Sequence, residues 1–500
     1  MTEWLDHLAL GFGVALTPSN LLYCFYGTLL GTLVGVLPGL GPTATIAMLL
    51  PITFYLPPEA ALIMLAGIYY GAQYGGSTTA ILVNLPGESS SVVTCLDGHA
   101  MARQGRAGPA LGLAALGSFF AGSVATLLIA AFAPHLAEVA LSFGPVEYFS
   151  LMVLGLIATV VLAQGSVLRA VAMIFLGLQL GLVGMDPNSG VQRYTFGLRD
   201  LTDGINFIIV GMGIYGFGEI VSNLDHRQIR TVLVSEVTRI MPSRDDLRQA
   251  WRSILRGTAV GSFLGILPGG GATLSSFASY TIEKKLAADP SRFGKGAVEG
   301  LAGPESANNA GSQTSFIPML TLGIPSNVVM ALMVGAMMVQ GIAPGPDVMT
   351  QRPELFWGLI ASMWVGNLML VILNLPLIGL WIRLLTVPYR LLYPAIVLFC
   401  SIGIYSLNNS SFDILLAALF GLLGYVFVKL DCEPAPLLLG FILGPLLEEN
   451  LRRAMLLSRG DATVFITSPI SAVTLLIAIG LLALTVAPSI RRKRQEAFQQ

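Results

Sequence analysis

The chain has 500 residues, of which 54% are hydrophobic and 11% charged, with a net charge of −1. A soluble domain carries about a quarter charged residues, so a water-facing shell is excluded, as is a basic surface for nucleic acid. Cys24, Cys95, Cys400 and Cys432 are scattered without CxxC spacing and the four histidines lie far apart, which leaves no resident metal or cofactor to propose.

From the N-terminus, MTEWLDHLAL lacks the basic head of a secretory signal and is expected to stay in the mature chain. Charge-free runs then recur at residues 21–58, 108–134, 151–168, 357–382, 391–412 and 462–490. Each is long enough for roughly 20 helical residues across hydrocarbon. The expected fold class is an all-α integral membrane protein of about 10–12 spans. With 56 Gly and 28 Pro, some of these are expected to be broken or re-entrant helical hairpins.

The first apolar run carries Gly35-Val-Leu-Pro38-Gly39-Leu40-Gly41-Pro42-Thr43. Gly265-Ile-Leu-Pro268-Gly269-Gly270-Gly271-Ala272-Thr273 matches it at a constant offset of 230, with six of nine positions identical. Gly75-Gly76-Ser77-Thr78-Thr79, followed by Leu85-Pro86-Gly87, corresponds in turn to Ala310-Gly311-Ser312-Gln313-Thr314, followed by Ile324-Pro325-Ser326. The order of elements is therefore expected twice.

Orientation follows from the loop cations. No Lys or Arg precedes Arg103, whereas seven arginines fall between Arg227 and Arg256, so the copies are expected to begin on opposite sides. The link after the first motif, residues 54–59, has no basic residue, while its counterpart has Lys284, Lys285, Arg292 and Lys295. Two inverted-topology repeats are the expectation. The chain then divides into a first membrane repeat (1–223), a basic cytoplasmic or interfacial connector (224–256), a second repeat (257–490) and a basic tail (491–500).

Polar, glycine-rich backbone is costly in lipid unless it is buried in protein or lines a watery cavity. Breaks are expected around Gly39, Gly41 and Thr43, and around Gly269, Gly271 and Thr273, where each new helix offers unpaired amides with a partial positive charge. A second pair of breaks is expected at Ser77, Thr78 and Thr79 with Asn84 and Pro86, and at Asn308, Asn309, Ser312, Gln313 and Thr314 with Pro325 and Ser326. These breaks hold no basic residue. A carboxylate would be bound there by helix starts and hydrogen bonds, with freed carbonyls and Asn, Ser and Thr oxygens taking Na⁺. The bland alternative is that small residues only let helices pack closely.

Glu305 and Glu88 are the candidate ion-coupling acids, since an ionisable group at membrane depth is a functional candidate. Glu305 lies ten residues from Lys295 and has a rival role as a solvated interfacial charge. Asp97 and His99 precede the basic loop at Arg103 and suit a loop or gating role. No nucleophile elbow, Walker sequence or HExxH occurs.

At these same residues the chain resembles the large membrane subunit of the tripartite tricarboxylate transporters, the TctA family, along nearly its whole length. The likeness rests on Gly35 to Thr43, Tyr70-Gly-Ala-Gln-Tyr-Gly75-Gly76-Ser77, Asn84-Leu-Pro86-Gly87, Asp97-Gly98-His99 and Gly303-Pro304-Glu305-Ser306-Ala307-Asn308-Asn309-Ala310. It extends to Gly190-Val-Gln-Arg193-Tyr-Thr195-Phe196-Gly197, Asp203-Gly204-Ile205 and Leu322-Gly323-Ile324-Pro325. Ser326-Asn327 departs from the glycine expected in many relatives.

The resemblance implies a multi-pass subunit of the bacterial inner membrane, working with a small membrane subunit and a periplasmic solute-binding protein that delivers citrate or a related tri- or dicarboxylate. Uptake would be driven by Na⁺ or H⁺. The hairpin-containing repeats, for their part, suit an elevator-like motion, with rocking as the alternative. The rivals are a channel-like permease without coupling and an intramembrane enzyme.

Overall fold

A computed structural model describes residues 2–37, 41–163, 166–186, 188–225, 240–267, 271–384 and 389–486. Helix makes up 81% of it. The sheet among the described residues is a single hairpin of Gly184–Met185 against Gln192–Arg193. An apolar chain in lipid must satisfy its backbone within each segment, which a helix does.

The N-terminal helix α1 (Thr2–Ala15) leads into α2 (Pro18–Val36), α3 (Pro42–Thr53), α4 (Pro58–Val83), α5 (Val92–Met101) and α6 (Ala107–Leu141). Proline opens α2, α3 and α4, where its missing N–H leaves nothing unpaired. α4 stops at Asn84, in the left-handed region at φ 58. α2 and α4 pack backbone to backbone: an added Cβ at Gly27, Gly31 or Gly35 would lie 2.2, 2.4 or 2.4 Å from the carbonyl oxygens of Met64, Ile68 and Ala72. Only glycine permits that approach.

Next come α7 (Pro145–Leu162), α8 (Val167–Gly181), α9 (Phe207–Gly211) and α10 (Gly218–Asp225). The succession α11 (Arg244–Ile266), α12 (Gly271–Leu286), α13 (Val298–Thr314), α14 (Phe316–Leu322), α15 (Val328–Val339), α16 (Asp347–Gln351) and α17 (Pro353–Asn374) follows. Here Gly257, Gly261 and Gly265 of α11 press on Gly303, Ala307 and Gly311 of α13, with an added Cβ 2.2, 2.3 or 2.4 Å from their oxygens.

One expectation is corrected. Ser77, Thr78 and Thr79 lie inside α4, and Asn308, Asn309, Ser312, Gln313 and Thr314 inside α13, so neither stretch is a break. Their hydroxyls bond back to the preceding turn, as Ser77 to Gln73 O at 2.9 Å and Thr314 to Ala310 O at 3.0 Å. The breaks fall later, at Asn84 and at Gly323 (φ 71), the residues that take up left-handed backbone.

Two groups of helices, α1–α6 and α11–α17, hold each other's links. Gln104 Nε2, just past α5, donates to Lys295 O at 2.8 Å in the link between α12 and α13. Gln340 Nε2, just past α15, donates to Thr53 O at the end of α3 at 2.6 Å and to Leu56 O in the link to α4 at 3.2 Å. Asp97 of α5 accepts from the backbone N–H groups of Gly296 and Ala297 at 2.8 and 2.7 Å and from the Tyr280 hydroxyl at 3.1 Å. It thereby supplies the acceptor that the start of α13 lacks.

The chain ends with α18 (Ile378–Leu384), α19 (Tyr389–Asn408), α20 (Ser411–Lys429), α21 (Ala435–Leu457), α22 (Val464–Thr467) and α23 (Pro469–Val486). Leu415, Leu476 and Ile479 stand out from these outer helices, and Leu168 from α8, at 66–77% exposure, the apolar surface a lipid-facing helix presents. Among the described residues, four helices are long and apolar enough to cross a membrane, and shorter apolar ones include Pro42–Thr53 and Val328–Val339. The protein is a multi-pass membrane protein. Of the expected connector, residues 226–239 lie outside the described residues, and α11 runs from Arg244 through position 256 without interruption. The basic tail at 491–500 also lies outside them.

Candidate functional site

A helix that stops inside the membrane leaves its last carbonyls without partners. At the end of α2 the Thr79 hydroxyl donates to Val36 O at 2.9 Å. At the end of α11 the Ser315 hydroxyl lies 3.2 Å from Gly265 O, and Thr314 Oγ1 lies 3.5 Å from Gly261 O. Thr79 and Thr314 are fully buried, so the structure places them as supports of the breaks rather than as walls of an open cleft.

Past the breaks, Gly41 is the N-cap of α3, and Thr43 and Thr273 sit half-buried in the first turns of α3 and α12. Gly39 and Gly269 lie outside the described residues. The loop after α4 exposes Asn84 and Pro86 and reaches the start of α12, where the Ser89 and Thr273 hydroxyls share a hydrogen bond at 2.8 Å. The loop after α14 turns inward. Pro325 and Ser326 are buried, Ser326 donates to Ser315 O at 3.1 Å, and Asn327 caps α15 by accepting from Met330 N–H at 3.0 Å. Gly271, at φ 54, sits against Asn327, an added Cβ there lying 3.2 Å from Nδ2. The loops after α4 and after α14 thus both meet the start of α12.

Behind this cluster lies Glu305, 1% exposed on α13. Glu305 is thus no solvated charge: α13 carries it two turns from its start at Val298, among buried residues. Ser77 of α4 donates to Oε2 at 2.6 Å and Thr94 of α5 donates to Oε1. Glu88 follows the break after α4, with Ser90 donating to its Oε1 and Asn308 Nδ2 at 3.5 Å. Among the described residues no cation forms an ion pair with either acid. A buried carboxylate without a positive partner is costly, so Glu305 either holds a proton or takes a cation from outside the chain, whereas Glu88 is half-buried.

α13 supports the site with carboxamides. Asn309 Nδ2 donates to Ser118 Oγ of α6 at 2.6 Å and to Glu305 O at 3.2 Å. Gln313 Nε2 lies 3.5 Å from Asn367 Oδ1 of α17. Asn308 Oδ1, Asn309 Oδ1 and Gln313 Oε1 are buried without a protein partner, leaving acceptor lone pairs at the centre of the molecule. Ser312 only donates to Asn309 O, at 2.9 Å within its own helix. Among the described residues no group of three or more His, Cys, Asp or Glu gathers.

Thr94, Ser118, Tyr74 and Asn374 also belong here and were not singled out from sequence. A small cavity beside Glu305 is lined by Tyr74, Ser118 and Asn374. Tyr74 and Thr94 lie in or next to the motifs quoted above, a usable signal. Ser118 and Asn374 are single polar residues in apolar helices, a pattern too common to single them out.

Residues 21–439 match the family model described as the tripartite tricarboxylate transporter TctA family. Two curated proteins of Agrobacterium vitis are similar to the chain. One, described as an uncharacterized 52.8 kDa protein in the TAR-I ttuC' 3' region, is 61% identical over 498 residues, 100% of this chain and 99% of its own length. The other, described as an uncharacterized protein in the TAR-II ttuC' 3' region, is 65% identical over 238 residues, 48% of this chain and 98% of its own length. No solved structure matches.

Proposed function

The chain belongs to the tripartite tricarboxylate transporter TctA family, and from that premise we propose that it is the ion-coupled transport subunit of a carboxylate uptake system. It imports citrate or a related tri- or dicarboxylate across the bacterial inner membrane, coupled to Na⁺ or H⁺. It works with a small membrane subunit and a periplasmic solute-binding protein that delivers the substrate.

The single observation that carries the coupling is Glu305, buried at the meeting of α4, α5 and α13, held by Ser77 and Thr94 and paired with no cation of the described chain. A transported ion is then its counter-charge. The substrate reading is supported by the polar loops that meet at the start of α12, with Asn84, Thr43, Thr273 and the starts of α3 and α12 as anion-directed groups. Inverted halves are supported by the repeated succession of helices and by the reciprocal grip of Gln104 and Gln340 on each other's links. Alternating access then comes from movement of the breaks relative to the outer helices.

The test is uptake of labelled citrate and a dicarboxylate panel into proteoliposomes holding this chain and its small subunit, with binding protein outside. Accumulation against a gradient that collapses without inward Na⁺ or H⁺ is the expected result. Equilibration without accumulation under either ion gradient would refute coupling and favour a channel.

A further inference from the structure

The cavity beside Glu305 joins both groups of helices, with Tyr74 of α4 and Ser118 of α6 on one side and Glu305 and Asn374 on the other. Two of these walls carry buried oxygen atoms that no protein atom meets, the Tyr74 hydroxyl and Asn374 Oδ1. Both residues are 4% exposed. The orientation of the Asn374 amide is fixed, because its Nδ2 donates to Leu370 O at 2.9 Å and a carbonyl can only accept. Oδ1 is therefore a true unpaired acceptor. Ser118 Oγ already receives Asn309 Nδ2 at 2.6 Å and keeps a further lone pair.

The chemistry of this lining is selective. Glu305 is its single carboxylate, and no basic side chain faces it. An anion would meet a carboxylate and lone pairs. A divalent cation would leave an uncompensated buried positive charge, whereas a monovalent cation brings the site to neutrality. Carboxylate, hydroxyl and carboxamide oxygens are hard ligands and suit a hard ion.

We propose that this cavity is a binding site for a hard monovalent cation of the Na⁺ class. Glu305 is the charge partner, and Tyr74 Oη, Ser118 Oγ and Asn374 Oδ1 are neutral oxygen ligands. The proposal rests on the ion-coupled reading above and adds where the ion sits and which residues select it. Because the ligands come from both groups of helices, occupancy draws the groups together at Glu305.

The experiment is equilibrium binding of radioactive sodium to the full chain in lipid nanodiscs, with K⁺ and Mg²⁺ as competitors, alongside ion-driven uptake. Saturable binding that excess Mg²⁺ leaves intact is expected. It should weaken about tenfold or more in Tyr74→Phe and in Asn374→Leu, and vanish in Glu305→Gln. Tyr74→Phe removes one oxygen and keeps the ring, so it carries the test should Asn374→Leu fail to fold. Undiminished binding in both variants, with loss only in Glu305→Gln, would overturn the cavity assignment and leave ion coupling through Glu305 standing. Absence of sodium binding in wild-type chain that still accumulates substrate on a proton gradient would overturn the site alone. Absence of both binding and ion-driven uptake would overturn the coupled reading with it.

Discussion

Replacing Gly31 with alanine tests the packing that positions the break after α2. The added Cβ would lie 2.4 Å from Ile68 O and 2.8 Å from Ile68 Cα, where ordinary contact begins at 3.4 Å. The 1.0 Å between 2.4 and 3.4 must come from parting α2 and α4, because the obstructing atoms are helix backbone and cannot swing aside. Overpacking of this kind costs about 1–3 kcal/mol, and alanine returns about 1 kcal/mol through helix propensity. A net loss of about 2 kcal/mol is expected when the clash sits at the severe end of that range. Gly261→Ala places its Cβ 2.3 Å from Ala307 O and should lose about as much. Gly13→Ala in α1 is the control, since nothing lies within 4 Å of its added Cβ. Thermal unfolding of the purified chain in detergent reads the difference, with uptake in proteoliposomes as the functional measure. If Gly31→Ala and Gly261→Ala unfold no earlier than Gly13→Ala, the close packing argued for both helix pairs is wrong.

Ser77→Ala and Thr94→Val each remove a hydroxyl from Glu305, and a hydrogen bond to a charged group is worth about 1.5–3 kcal/mol. The ion concentration for half-maximal uptake should rise about ten- to a hundredfold in each; an unchanged value would show that these hydroxyls do not hold the coupling acid. Asn309→Ala should impair uptake while the protein still inserts, and normal uptake would remove Asn309 from the site. Asp97→Asn weakens the acceptor for Gly296 and Ala297, so the link between α12 and α13 should be cut faster by protease. Unchanged cleavage would leave Asp97 without that role. The backbone N–H of Asn188, then Ser189, Arg452 and Arg193, hold the Asp186 carboxyl well below the usual range against the opposing effect of burial. Its contribution to stability is thus full above the unfolded value of about 3.9 and is lost as pH falls through the lowered folded one. The gap in unfolding temperature between wild type and Asp186→Asn should hold steady from neutral pH down to about 4 and close in stronger acid; a gap that widens in acid would contradict the sign.

Part of the site was legible because two signals coincided. A nine-residue motif recurs at an offset of 230, and the cations of the flanking links change sides. Together they pointed to helix breaks near Gly41 and Gly271, where α3 and α12 begin. Gly76–Ser77–Thr78–Thr79 misled for a physical reason. Glycine and hydroxyl residues serve equally to break a helix and to let two helices touch, and only the partner helix decides which. In α4 the partner α2 is met by Gly71, Gly75 and Thr79, while Ser77 turns to Glu305. Glu305 was legible as an acid in an apolar setting, yet its depth was not, since ten residues from Lys295 reach about 15 Å along a helix, far enough for either reading.

The sequence by itself determined the medium and the backbone form: 11% charge and long apolar runs permit only segments that satisfy their own hydrogen bonds in lipid. It also determined which residues recur in order. The tertiary structure decided what those residues do. Thr79 closes the end of α2, Asp97 opens α13, and Ser77 and Thr94 converge on Glu305 from helices far away in the chain. A hydroxyl's role depends on which unpaired group it meets, and that is set by helix packing rather than by position in the sequence.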